Sequence, residues 1–210
     1  MQISFIVVCL LSVLLFHFGT GFNRRLLLIF VGWQLIVGSI AVANVFEAFP
    51  SVFPLAIFGT VLLVIYCLRK IEVQKTNVKF LLAIHILRIP VEIVLYLLFL
   101  KGKVPELMTF SGWNFDILIG MSAFVLLILW VVFKRKIHAP LFVVWNYIGI
   151  LFLLFIVIIA ILSSPLPIQQ LAFDQPNMAV LEFSYCFLPT CVVPIVLMSH
   201  LLILKRLNNK

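Results

Sequence analysis

Charge is what this 210-residue sequence has least of. Lys and Arg number 15 and Asp and Glu only 7, together 10% of the chain, where a soluble domain carries about 25%. A water-soluble fold of this length would lack the charged side chains to cover its surface. That excludes a soluble enzyme, a nucleic-acid-binding module and a disordered chain. No polar stretch is long enough to form a separate soluble domain, so the chain reads as a single domain over 1–210. Cysteine is scarce too. Cys9, Cys67, Cys186 and Cys191 lie inside apolar runs and show no CxxC spacing, which supports neither a disulfide framework nor a zinc knuckle. The amino terminus has no basic segment before its first apolar run and no small-residue cleavage site after it. A retained first helix is expected, not a cleaved signal peptide.

What is abundant is apolar. Such residues make up 65% of the chain, 21 of them Phe, and the mean hydropathy is +1.29. A bilayer core about 30 Å thick needs about 20 apolar residues per helix. Seven runs approach that length: 2–18, 26–46, 52–68, 78–100, 113–133, 140–162 and 178–204. Lipid offers no partners for backbone N–H and C=O groups, and the runs are too long for barrel strands, so they must be helices. The expectation is an all-α polytopic membrane protein, a seven-transmembrane helix bundle.

The breaks between runs fix an orientation. Arg24, Arg25, Arg69, Lys70, Lys75, Lys79, Lys134, Arg135, Lys136, Lys205, Arg206 and Lys210 fall on one side, and only Lys101 and Lys103 on the other. The positive-inside rule then puts the carboxyl terminus in the cytoplasm and the amino terminus outside the cell membrane. This also accounts for the formal charge of +8 without nucleic acid.

Polar residues inside the runs need partners, because a charge near the bilayer centre costs roughly 2.5–3.5 kcal/mol on insertion scales. In the fourth run His85, Arg88 and Glu92 share one face, and Tyr96 continues it. Arg88 and Glu92, four residues apart, are expected to form an ion pair. Pro90 between them removes the donor for the Ile86 carbonyl, so the helix should kink there. Such a pair either fixes helix packing or forms a gate or binding site. In the second run Gln34, Gly38 and Ala41 share a packing face, and Asn44 and Glu47 follow near its outer end. The fifth opens with Asn114 and Asp116, which either cap the helix or turn a carboxylate toward a polar cavity. Asp116 shares a face with Gly120 and Ala123. In the sixth, Asn146 is expected to hydrogen-bond across helices. The seventh carries Glu182 and Tyr185 near its outer end, then Pro189 and Pro194, which imply a bent or opened helix, then Ser199 and His200. It has no Lys before Lys205, which excludes a mid-membrane Schiff base.

By depth, Gln34, His85, Asn146 and His200 fall in the inner third. Arg88 and Glu92 lie near the middle, and Asn44, Glu47, Asn114, Asp116, Glu182 and Tyr185 in the outer third. No helix shows HxxxH or ExxH spacing, so no metal and no cofactor is expected. The outer loop 163–177 is long and mixes apolar with polar groups, as a segment capping the outer mouth would.

The stretches Arg88-Ile-Pro-Val-Glu92, Met108-Thr-Phe-Ser-Gly-Trp-Asn-Phe-Asp116 and Phe173-Asp-Gln-Pro-Asn177 resemble those of an uncharacterised family of small multi-pass bacterial membrane proteins. The resemblance covers most of the chain after about residue 78 and implies no activity.

Three functions fit these residues. The first is binding or transport of a small molecule, with His85, Arg88, Glu92, Tyr96, Asn114, Asp116, Glu182, Tyr185 and His200 as ligand-binding or gating residues. Arg88 would neutralise an anionic group or gate through Glu92, Asp116 and Glu182 would line the outer vestibule, and His85 and His200 would relay protons. The second is a membrane-embedded enzyme acting on a lipid-like substrate, with Glu92, Asp116 or Glu182 as acid or base and His85 as partner. The third is an assembly subunit whose polar residues only join helices. The expected partners are the lipid bilayer and a small-molecule ligand.

Overall fold

The computed structural model describes residues 1–21, 24–135 and 137–209, and among these all regular structure is helical. Lys136 and Lys210, two of the basic residues used to assign orientation, lie outside the described residues. Six helical segments are long and apolar enough to cross a membrane: α1 (Gln2–Gly19), α2 (Arg24–Val42), α3 (Pro50–Lys70), α4 (Val78–Phe99), α6 (Ala139–Leu162) and α7 (Leu188–Asn208). Their length and composition fit a membrane protein. The fifth helix, α5 (Asp116–Val131), is apolar but only 16 residues long.

Two sets of contacts define the ends of the bundle. At one end the Asn77 N–H donates to the Gly19 carbonyl at 2.9 Å, Arg206 donates to the Gln74 side chain, and the Lys79 ammonium lies 5.8 Å from the Trp130 ring centre. This end collects the basic segments. At the far end the N–H groups of Met178 and Ala179 both donate to the Lys103 carbonyl. There, too, Phe46 packs edge-on against Phe53 at 5.1 Å, in a cluster that includes Val180 and Leu181.

Burial ranks the helices. In α7 67% of the apolar window is buried and in α4 56%, against 28–33% for α1, α2, α3 and α6. So α4 and α7 are the axis, and the others surround it. The core between them is made of large side chains such as Phe5, Leu81, Leu98, Ile195, Met198 and Leu202. The surrounding helices turn Leu28, Leu35, Phe58, Phe124, Leu141 and Leu151 outward, an apolar exterior suited to hydrocarbon.

Three apolar runs do not become helix over the span expected from sequence. The second stops at Val42, because Asn44 adopts a left-handed conformation (φ 55°) before a single turn, Val45–Ala48; Asn is one of the few residues that tolerates it. Asn44 and Glu47 therefore lie off α2. The fifth begins at Asp116, not Trp113, because the Asn114 side chain accepts the Asp116 N–H at 3.0 Å and sets the start of the helix. The seventh begins at Leu188, ten residues beyond Met178 in sequence. Its early N–H groups are taken by the Lys103 carbonyl, and Ser184 sits at φ 38°, so 178–187 is a short 3-10 turn (Ala179–Leu181) followed by irregular chain. Local changes of helix type accompany the prolines. The backbone tightens to a 3-10 turn at His85–Leu87 just before Pro90, and α7 opens as a π turn, Leu188–Val192, that contains Pro189.

Candidate functional site

Arg88 stands where α4, α5, α6 and α7 meet. Its Nη1 donates to Asp116 Oδ1 at 2.8 Å, a buried ion pair. Its Nη2 donates to the Gly149 carbonyl at 3.4 Å and lies 3.1 Å from His200 Nε2. The tautomer of His200 follows from its other neighbour. The Asn146 Nδ2 donates to the Phe142 carbonyl at 2.7 Å, which leaves Asn146 Oδ1, 2.8 Å from His200 Nδ1, as an acceptor. His200 therefore carries its proton on Nδ1, and Nε2 accepts from Arg88. The His85 ring stacks on His200, centres 3.9 Å apart and planes 29° off parallel, and meets Trp145 edge-on at 5.3 Å.

Two glycines make this meeting possible. A Cβ on Gly149 would collide with the His200 imidazole, and one on Gly120 would come within 2.9 Å of Ile89 and 3.4 Å of Arg88 Cβ. Gly120 lets α5 approach α4 closely enough for the Asp116 carboxylate to reach the guanidinium.

The expected Arg88–Glu92 ion pair does not form. Arg88 finds three acceptors on facing helices, and Glu92 one turn along its own helix is not among them. Glu92 instead takes the Asn114 amide. Asn114 Nδ2 donates to Glu92 Oε1 at 2.5 Å and to the Met108 carbonyl at 3.1 Å, while its Oδ1 holds the first N–H of α5. Glu92 Oε2 is buried with no hydrogen-bond partner.

These groups border a cavity of about 590 Å³ between α3, α4, α6 and α7. Arg88, Glu92, Asn114 and Asp116 form its polar patch. Its walls are apolar, with Val61 and Val64 from α3, Leu153 and Val157 from α6, and Val193 and Leu197 from α7. Leu166 and Ile168 of the loop 163–177 line it too, as does Asn177 at the end of that loop, whose side-chain amide atoms are buried with no hydrogen-bond partner. The loop is tied to the α4 end through Gln175, whose Nε2 donates to the carbonyls of Phe99 and Val104 at 2.9 and 2.6 Å.

A family model described as a domain of unknown function (DUF8737) matches residues 44–208. The chain belongs to this family. The match begins well before residue 78, where the sequence resemblance started, and includes every residue around the cavity. No curated protein and no solved structure matches the chain.

Within the family domain, the residues singled out from sequence separate into three groups. Arg88, Glu92, Asn114 and Asp116 line one cavity, so two of the six outer-layer residues, Asn114 and Asp116, join the middle layer. His85 and His200 back Arg88 from behind and do not line it. Tyr96, Glu182 and Tyr185 stand elsewhere. Tyr96 packs on Phe110 at 4.9 Å, and Tyr185 is buried against Phe5 at 5.5 Å. Glu182 forms an ion pair with Lys103 at 2.6 Å at the far end. Sequence reasoning missed Gly149, Asn177 and the α3 wall. A lone glycine in an otherwise bulky 24-residue helix was the available signal for Gly149.

Proposed function

We propose that this chain is a multi-pass protein of the cytoplasmic membrane that crosses the bilayer seven times and binds a small molecule in the cavity beside Arg88, Glu92, Asn114 and Asp116. On this reading α5 is one of the seven crossings. Its 16 residues rise about 24 Å, short of a bilayer core of about 30 Å. The irregular segment before it completes the span with its Phe110, Trp113 and Phe115 side chains turned outward and its backbone held by its own turns: Gly112 and Asn114 donate to the Thr109 carbonyl, and Trp113 to that of Leu107. The basic segments gathered at one end support a cytoplasmic carboxyl terminus and an outside amino terminus.

The observation that carries the reading is the cavity with unsatisfied polar atoms on an apolar wall. An open space of about 590 Å³ beside a buried carboxylate oxygen and a buried amide that have no partners supports a ligand site. Small-molecule sites have this composition, mostly apolar with a few converging polar groups, and volumes of about 300–1,000 Å³. The cavity also touches the π turn of α7, and the 3-10 turn of α4 ends where its polar patch begins. Two such joints favour transport of the bound molecule over static storage.

Native mass spectrometry of the full chain released from its own membranes tests the reading. A small-molecule adduct is expected on the native protein and should be lost in Val157→Trp, which fills the cavity from α6. A native chain that carries no adduct, or an adduct that survives Val157→Trp, overturns it.

A further inference from the structure

Resting on the cavity as a ligand site, we infer that it takes its ligand by the tail: the cavity is a slot for one long hydrocarbon chain of a membrane lipid, laid along α7 between α3 and α6.

The floor of the cavity carries the argument. Although α7 is central, its residues from Leu188 to Leu204 are not all buried. Leu188, Pro189, Val193, Leu197 and Leu201 are only half-buried, and all five line the cavity. From Pro189 onward they recur every four residues, so they form one stripe down a single face of the helix. α3 and α6 both pack against α7 and flank the stripe, with Val61 and Ile65 on one side and Leu154 and Ile161 on the other. Among the described residues, the stripe is the one strip of this part of α7 left without full cover.

Shape limits what can cover it. From Pro189 to Leu201 the stripe runs about 18 Å at 1.5 Å per residue, and it is one residue wide. A further helix would need its axis about 8–10 Å from that of α7 and a face of several side-chain rows to pack on, and α3 and α6 already stand on both sides. A compact ligand would cover a turn or two and leave the rest bare. An extended hydrocarbon chain matches length and width together: bonds of about 1.5 Å advance it about 1.25 Å each, so roughly 14 carbons run the length of the stripe.

Chemistry and access agree. The stripe and its flanks are Val, Leu, Ile and Pro. The unpartnered Glu92 oxygen and Asn177 amide are buried and do not select the occupant. Val61, Ile65, Leu154 and Ile161 are exposed and run on into the apolar exterior at Leu62 and Ile158, so the slot is continuous with the surface that meets hydrocarbon. A chain of a bilayer lipid enters sideways there. Leaving lipid for the slot brings no hydrophobic gain, so close packing along the stripe is what holds the chain.

The test places the full chain in phosphatidylcholine nanodiscs that contain a phosphatidylcholine with a diazirine midway along one acyl chain, and maps the adducts after irradiation by peptide mass spectrometry. Adducts are expected on α7 at Val193 and Leu197 and not at Ile195, Met198 or Leu202, which are buried in the same helix. Val157→Trp, which fills the slot from α6, should lose the α7 adducts and keep those on exterior residues such as Leu28 and Phe124. An α7 without adducts, or α7 adducts unchanged in a folded Val157→Trp chain, overturns the inference. If Val157→Trp does not fold, the wild-type pattern along α7 still decides. The adduct of the native protein separates the two readings. A native ligand without a long aliphatic chain overturns this inference and leaves the ligand site standing; no native ligand together with an unlabelled α7 overturns both.

Discussion

Arg88 and Asp116 lock α4 to α5 through an ion pair of 2.8 Å whose side chains are 3% and 9% exposed. Such a pair contributes less as attraction than as mutual cancellation, because each partner alone would be a bare charge in the interior. Asp116→Asn should therefore cost about 3–5 kcal/mol, the penalty of one orphaned buried charge. The double substitution Arg88→Met with Asp116→Leu should recover most of that loss. Thermal melting in detergent, followed by size-exclusion chromatography, measures both. If the double variant is no more stable than Asp116→Asn, the pair is not what holds these helices.

The need for a partner at Arg88 was legible in the sequence; the identity of that partner was not. Spacing within a helix ranks neighbours along one surface, and Glu92 was the nearest carboxylate by that measure. The interior instead offered Asp116, 28 residues away. A run that begins at Trp113 sets Asn114 and Asp116 at its outer end, whereas their bonds to Glu92 and Arg88 bring them level with the pair expected near the middle. The apolar runs were readable because six of them meet the length that hydrocarbon demands. Their ends were not, because they depend on particular bonds: the left-handed Asn44, or the Lys103 carbonyl that claims Met178 and Ala179. Depth did succeed for His85 and His200, which were set in the same layer and stack on each other. It succeeded for Asn146 as well, whose expected bond across helices goes to His200.

Two glycines separate a packing role from a helix-propensity effect. At Gly149 an added methyl meets the His200 ring, whereas at Gly32 nothing lies within 4 Å. Gly149→Ala must displace the imidazole and with it the bonds to Asn146 and Arg88, an overpacking cost of about 1–3 kcal/mol. Gly32→Ala should be neutral or stabilising by up to about 1 kcal/mol, because Ala is the better helix former. Melting temperatures of the two variants, compared side by side, should move in opposite directions or differ sharply. Equal shifts would mean that His200 is not held against α6.

Pro90 shapes the direction in which Arg88 points. It lies in the first turn of the helical segment Arg88–Phe99, where a missing N–H is least costly. The 3-10 turn at His85–Leu87 supplies the restart that such a position needs. Pro90→Ala lets one continuous α-helix run through 85–92 and so turns Arg88 away from its present angle to α5. Stability alone should change little, since the better helix propensity of Ala is offset by the weakened ion pair. The informative quantity is coupling: in the Pro90→Ala background the cost of Asp116→Asn should fall by about 1 kcal/mol, as expected for residues that share a partner. Hydrogen exchange at the amides of His85–Arg88 should slow in the same variant. Strictly additive costs would mean that the tight turn is incidental and that the ion pair forms without it.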